Sequence, residues 1–215
     1  MEPIIRLDLE HALRSSSPIV LELGCGARKT PGRIGIDRLD MPHVDIVADL
    51  EQGLPFLPDN SVDAIYSASF LEHIEHLEGL MREIWRVLVP AGKKVLSVPH
   101  FSNPYSYSDY THRRFFGLYT FGYFCRDQGR FKRKVPSFYH DFSFFIEDIR
   151  LVFDSPWRGR RLAKRIVQKL VNLNTWTMEF YEENLCYLLP CYGLQVTLRP
   201  VKGPSGQDSE RLPGA

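Results

Sequence analysis

Short apolar runs, each closed by a turn or an acid, fill the first hundred residues. Pro18-Ile19-Val20-Leu21-Glu22-Leu23 ends at Gly24-Cys25-Gly26, which predicts a buried strand followed by a tight turn. Arg33-Ile34-Gly35-Ile36-Asp37 and Val44-Asp45-Ile46-Val47-Ala48-Asp49 predict a second and a third strand, both closed by aspartate. Val62 to Ser67 predicts a fourth. Leu77, Leu80, Met81, Ile84, Val87 and Leu88 fall at helical spacing, and Pro90-Ala91-Gly92 stops that helix. Lys93 to Val98 predicts a fifth strand, stopped by Pro99. Strands alternating with helices or short crossovers indicate an α/β fold with a parallel sheet.

The texture changes after Pro99. Residues 100–140 are rich in Phe, Tyr, His, Ser and Arg without a clean period, and read as an aromatic insertion. Tyr139 to Phe153 supplies a sixth strand, Trp157 to Leu189 one or two amphipathic helices, and Tyr192 to Pro200 a last strand. From Lys202 onward Gly, Pro, Ser and charge predict a frayed tail.

Composition narrows the class. The chain has 215 residues, 44% hydrophobic and 25% charged, an ordinary globular balance that excludes disorder over most of its length. No apolar stretch approaches the roughly 18–20 residues of a membrane span, and the start shows no secretory signal. Cys25, Cys125, Cys186 and Cys191 form no C-x-x-C pair and are too sparse for a disulfide scaffold, so a reduced, cytoplasmic protein is expected. Charge is uneven: residues 1–110 hold 10 basic and 16 acidic side chains, net −6, and residues 111–215 hold 17 and 10, net +7. A basic half reads either as a solvated face or as the mark of a phosphate- or carboxylate-bearing partner.

The glycine turn is the first candidate for chemistry. Gly24-Cys25-Gly26 lets the backbone approach a ligand. A dinucleotide fingerprint needs a third glycine, and Lys29 stands there instead. Asp37 closes the second strand, where a carboxylate can accept both hydroxyls of a ribose. Asp49-Leu50 closes the third, where an acid can accept from an adenine amino group beside an apolar contact. Together these groups line the carboxyl edge of the sheet, where open α/β sheets bind ligands.

Leu21-Glu22-Leu23-Gly24-Cys25-Gly26, Ile36-Asp37, Ala48-Asp49-Leu50, Leu54-Pro55-Phe56 with Asp59-Asn60-Ser61-Val62-Asp63, and Leu71-Glu72-His73-Ile74 resemble the class I S-adenosylmethionine-dependent methyltransferases, most of all the small "type 11" members. The resemblance covers about residues 18–100. It implies a Rossmann-like, mostly parallel seven-stranded sheet and S-adenosylmethionine as cofactor. It also implies that Glu22, Gly24 and Gly26 cradle the methionine end, Asp37 the ribose, and Asp49 and Leu50 the adenine, with Ser67 to Phe70 bordering the sulfonium. On this reading residues 1–201 are one methyltransferase domain, made of a cofactor-binding half (18–100), an acceptor or lid insertion (100–140) and C-terminal helices (157–189), with 202–215 a flexible tail.

Two features depart from that family. Only six residues separate Gly26 from Arg33, and six separate Asp37 from Val44. A parallel crossover with a full helix needs roughly a dozen. The first two crossovers are therefore expected to be truncated, and one sheet face to need other cover: the N-terminal helix (Arg6 to Arg14), the C-terminal helices or a second subunit, as in a homodimer.

Methyl transfer is an in-line displacement, in which the protein supplies alignment, desolvation and, for an oxygen or nitrogen nucleophile, a base. The base must come from the acceptor side. His100, which follows the fifth strand, is the first candidate. Asp109 and His112 form a candidate carboxylate–imidazole pair, and His73 can face the cofactor or cap a helix. His100, Asp109 and His112 match no compact ligand spacing, and no metal is expected. Asn103-Pro104-Tyr105 lacks the second proline and the position of the N-P-P-Y element of amino-directed nucleic-acid methyltransferases. RNA binding through Arg126 to Lys134 is the less favoured alternative. In Arg158 to Leu173 apolar residues recur at about i, i+4 opposite a basic side. Packing of the apolar side on the protein is the expectation, and contact with an anionic membrane surface the alternative. The expected acceptor is a small or lipid-linked molecule, anionic if the basic half engages it. A non-catalytic binding or assembly protein with the same fold is the remaining alternative.

Overall fold

Alternation along the central strands separates two unlike sheet faces. In β2 (Val20–Leu23) Leu21 and Leu23 are wholly buried, while Glu22 between them is only partly so. The same parity runs through β3 (Ile34–Asp37), β5 (Val62–Ala68) and β6 (Leu88–Pro99), which place Ile36, Ile65 and Leu96 in the core. The structure is a computed structural model describing residues 2–155 and 157–203.

The remaining strands are β1 (Ile4–Ile5), β4 (Ile46–Val47), β7 (Ser143–Val152) and β8 (Gly193–Val201). All eight join one sheet in the order β1-β4-β3-β2-β5-β6-β8-β7. β4, β3, β2, β5 and β6 are mutually parallel, and β8 runs antiparallel between β6 and β7. The Rossmann-like α/β architecture expected from the sequence is present, with one strand more than the seven foreseen. The extra strand, β1, pairs antiparallel with β4 at the edge. Two residues are too few to leave a periodicity in the sequence. Pro90-Ala91-Gly92 lies inside β6 at a register shift against β5, rather than in a loop between helix and strand.

Four helices accompany the sheet: α1 (Leu9–Arg14), α2 (Leu77–Val87), α3 (Arg158–Val171) and α4 (Thr175–Asn184). Leu80, Met81, Ile84 and Val87 of α2, Leu9 of α1, Val171 of α3 and Tyr181 of α4 all enter the core that contains Leu21 and Leu23. The two short crossovers hold no helix. The opposite sheet face, presenting Glu22, Tyr66, Val95, Ser97, Gln195 and Thr197, is a groove of about 450 Å³. Neither α1 nor the C-terminal helices cover it.

α3 has two apolar stripes with different fates. Val167 and Val171 turn inward, and Gln168 and Asn172 beside them bond to the edge of β7. Asn172 Oδ1 accepts from Leu151 N at 2.9 Å, its Nδ2 donates to Leu151 O at 2.8 Å, and Gln168 Oε1 accepts from Phe153 N. Side chains thus blunt an exposed strand edge. Leu162, Ile166, Leu170 and Leu173 form a second stripe facing solvent. The expectation that the helix packs its apolar side on the protein holds only for the inner stripe. Of the predicted tail, 202–215, residues 204–215 lie outside the described residues, and Lys202 Nζ donates to the carbonyls of Arg86 and Leu88.

Candidate functional site

Parallel pairing brings the ends of β2, β3, β4 and β5 to one edge, and with them Glu22, Gly24, Gly26, Asp37, Asp49 and Leu50. Gly24 and Gly26 both have positive φ, +65° and +54°. They differ in what surrounds them. A Cβ on Gly24 would lie 2.4 Å from Phe70 Cδ2, so this glycine admits an aromatic ring. A Cβ on Gly26 would meet nothing within 4 Å, so this one borders open space.

The acids are anchored by the short loops. Asp37 Oδ2 accepts from Gly26 N at 2.8 Å, and its Oδ1 accepts from Leu39 N at 2.9 Å. Each oxygen keeps a second lone pair for a ligand hydroxyl. Asp49 Oδ1 accepts from Glu51 N at the start of a short 3-10 turn whose first residue, Leu50, is buried. Glu22 Oε2 accepts from Thr30 N and faces Arg33, whose guanidinium lies 3.6 Å over the Tyr66 ring. Lys29 bonds both oxygens of Asp45, and Asp45 accepts from Gly35 N. These polar ties hold the crossover where a helix is missing. Burial and the nearby Asp37 and Glu22 push the Cys25 thiol up to about 11, so it stays protonated at neutral pH.

Ser67 is placed differently. Its hydroxyl accepts from Lys94 Nζ at 2.6 Å on the covered face, so its side chain is turned away from the ligand edge. Burial holds the Lys94 amine well below the usual lysine range.

Beyond β5 a second constellation gathers His73, Asp109 and His112. The carbonyl of Glu72 accepts from Arg113 N at 2.7 Å and from Arg114 N at 3.1 Å, which staples the insertion to the turn after β5. The His73 and His112 rings meet edge to face, 4.9 Å between centroids. Asp109 Oδ2 stands 3.5 Å from His112 Nε2. Its Oδ1 accepts from Thr111 Oγ1 at 2.6 Å and from Thr111 N, bonds that hold its carboxyl below the usual range. Thr111 Oγ1 lies 3.0 Å from His73 Nδ1. Burial, reinforced by Asp109, raises Glu72 to about 7.

His100 is not part of this group. Its ring is fully buried, its Nδ1 accepts from Ser102 N, and its Nε2 donates to Glu182 Oε2 at 3.1 Å. Both nitrogens are engaged, so the ring ties the insertion to α4 and has no face toward an acceptor. Phe131, the one aromatic between Arg126 and Lys134, is buried, and Lys134 Nζ donates to carbonyls of the same loop. That segment offers no stacking platform for bases.

Sequence reasoning passed over Glu72 and Lys94 as site or core features. The signal was there: Glu72 is the one charge between the buried Leu71 and Ile74, and Lys94 shares the parity of Leu96 and Val98.

Residues 21–96 match the family model described as a methyltransferase domain. The matched segment, about a third of the chain, contains the motifs that resemble the class I S-adenosylmethionine-dependent methyltransferases. The cofactor that this match implies is S-adenosylmethionine, and the residues at the edge fit it: a glycine with open space beside it, and two carboxylates with acceptor capacity left at adjacent strand ends. No curated protein matches the chain. Among solved structures, a chain of the complex between the Haloferax volcanii Trm112 methyltransferase activator and a methyltransferase is similar over 93% of this chain and 90% of its own, at 17% identity and TM-score 0.51. An Archaeoglobus fulgidus S-adenosylmethionine-dependent methyltransferase is 17% identical, with TM-score 0.49 over 90% of this chain and 91% of its own. Phosphoethanolamine N-methyltransferase 2 of Haemonchus contortus, in complex with S-adenosylmethionine, is 15% identical, with TM-score 0.48 over 93% of this chain and 52% of its own.

Proposed function

We propose that this protein transfers a methyl group from S-adenosylmethionine to an oxygen or nitrogen of a lipid-linked, anionic acceptor. The outer stripe of α3 carries this reading. Leu162, Ile166, Leu170 and Leu173 are exposed, at 68%, 53%, 57% and 67%, with Trp157 also in solvent at the helix start. α3 contains Arg158, Arg160, Arg161, Lys164, Arg165 and Lys169 and no acid. An apolar stripe flanked by cations suits the interface of an anionic bilayer. No helix among the described residues is long and apolar enough to cross a membrane, so any contact through α3 is with the surface.

Glu22, Gly24, Gly26, Asp37, Asp49 and Leu50 hold the cofactor, and Ser67 contributes only its backbone. Bound S-adenosylmethionine supplies an electrophilic methyl on sulfur. The protein's part is to align the acceptor, exclude water and take the acceptor's proton. The cluster of His73, Asp109 and His112 handles that proton, while His100 positions the insertion.

Incubation with methyl-labelled S-adenosylmethionine and fractionated cell extract tests the reading. Label is expected in the lipid fraction. Label confined to RNA would replace it with the nucleic-acid alternative. Adenosylhomocysteine giving no calorimetric signal on folded protein would replace it with a non-catalytic role.

A further inference from the structure

Glu72 is the charge that the fold explains least. Its side chain is 1% exposed, and its Oε2 has no hydrogen-bond partner. A buried carboxylate oxygen without a partner is costly, and such atoms are normally paired or bound to a metal. The groups beside it are His73 and His112, and one donor atom from each of the three residues lies within 4.8 Å of the others.

We propose that Glu72, His73 and His112 bind one divalent transition-metal ion of the zinc, cobalt, manganese or iron class. Two imidazoles and a carboxylate are a borderline donor set that suits these ions and disfavours magnesium, which prefers oxygen. With bonds of about 2.1 Å at tetrahedral angles, neighbouring donors sit about 3.4 Å apart. The side chains therefore need to draw in by roughly 1 Å, within reach of a rotamer adjustment in partly exposed rings.

The surrounding hydrogen bonds prepare His73 for this role. The single hydroxyl proton of Thr111 goes to Asp109 Oδ1, 2.6 Å away. Thr111 Oγ1 must then accept from His73 Nδ1–H, and the Thr111 carbonyl, 3.4 Å off, shares that proton. This leaves His73 Nε2 with its lone pair, the tautomer a ligand needs. His112 is held at Nδ1 by Ser106 Oγ at 3.1 Å, and at Nε2 only by the 3.5 Å contact with Asp109, the weaker of the two. A metal on Nε2 would replace that contact and bring Asp109 beside it.

The inference deepens the proposed function and rests on it for its purpose. A cation here would receive the acceptor's hydroxyl or amine and lower its pKa; with both rings ligating, Asp109 is the member of the cluster left to take the proton. Sequence spacing gave no sign of this donor set, because its members come together through the Glu72–Arg113 staple and not through a local motif.

The test uses the full chain, stripped with chelator and titrated with Co2+ alone, without methyl donor. Saturable one-to-one binding with visible d–d absorption is expected. Glu72→Gln, His73→Ala and His112→Ala should each raise the Kd at least about tenfold, while the exposed, distant His43→Ala leaves it unchanged. His112 lies in the insertion, so its variant keeps the test valid if Glu72→Gln fails to fold. Absence of saturable binding of Co2+, Zn2+ or Mn2+, or binding unaltered in His112→Ala, overturns the site. Adenosylhomocysteine affinity, measured separately, reports on the cofactor edge, so the two failures are distinguishable.

Discussion

Lys94 Nζ donates to Ser67 Oγ at 2.6 Å inside the core, and among the described residues Ser67 is its only hydrogen-bond partner. A fully buried amine with one neutral acceptor destabilises the fold whenever it must carry a proton. Its native pKa is depressed, so the unfolded chain binds more protons between that pKa and the ordinary lysine pKa, and stability rises with pH across that window. Lys94→Met should stabilise the protein by about 1–3 kcal/mol at neutral pH. The gain should shrink as pH climbs toward the unfolded lysine pKa. Urea unfolding of both proteins at pH 7 and pH 10 measures this. An equal difference at the two values would show that the amine is not the cause.

The two turn glycines should separate packing from ligand contact. Gly24→Ala forces a methyl into the Phe70 ring at positive φ, and a marked fall in Tm is expected. Gly26→Ala faces open space and bears only backbone strain, of about 1 kcal/mol. Its Tm should move little, while adenosylhomocysteine affinity drops. Calorimetry together with thermal melting distinguishes the two.

Leu162→Glu with Ile166→Glu changes exposed positions, so stability should stay within about 0.5 kcal/mol. Co-sedimentation with vesicles containing anionic lipid should be lost. Wild-type protein should bind such vesicles, less so at high salt, and ignore purely zwitterionic ones. Equal binding by the variant would remove α3 from the interface.

Asn172 satisfies both backbone groups of Leu151. Asn172→Ala should cost about 1–3 kcal/mol. Hydrogen exchange should speed up at Leu151 before it does in β2 or β5.

Much of this molecule can be read from its residues. The parallel strands, their closing acids and α2 follow from period and punctuation, because each buries one face of a regular element. The glycine turn was legible for the same reason: its chemistry is local. The acceptor side was not. His100 is adjacent to the sheet in sequence yet sealed between Ser102 and Glu182, a contact 82 residues away that no local pattern encodes. Glu72 meets His112 only because a backbone carbonyl captures the insertion. In α3 the periodicity was right but ambiguous, since two apolar stripes share one helix and only packing decides which is covered.

The abbreviated links between β2, β3 and β4 bear on how the chain assembles. Neighbouring parallel strands usually wait for a distant segment to return, and that delay slows folding. Here the partners are 13 residues apart between β2 and β3 and 10 between β3 and β4, and Lys29 and Asp45 clasp across the gap. The ligand-binding rim should therefore zip together early, before β8 completes the sheet from the far end of the chain.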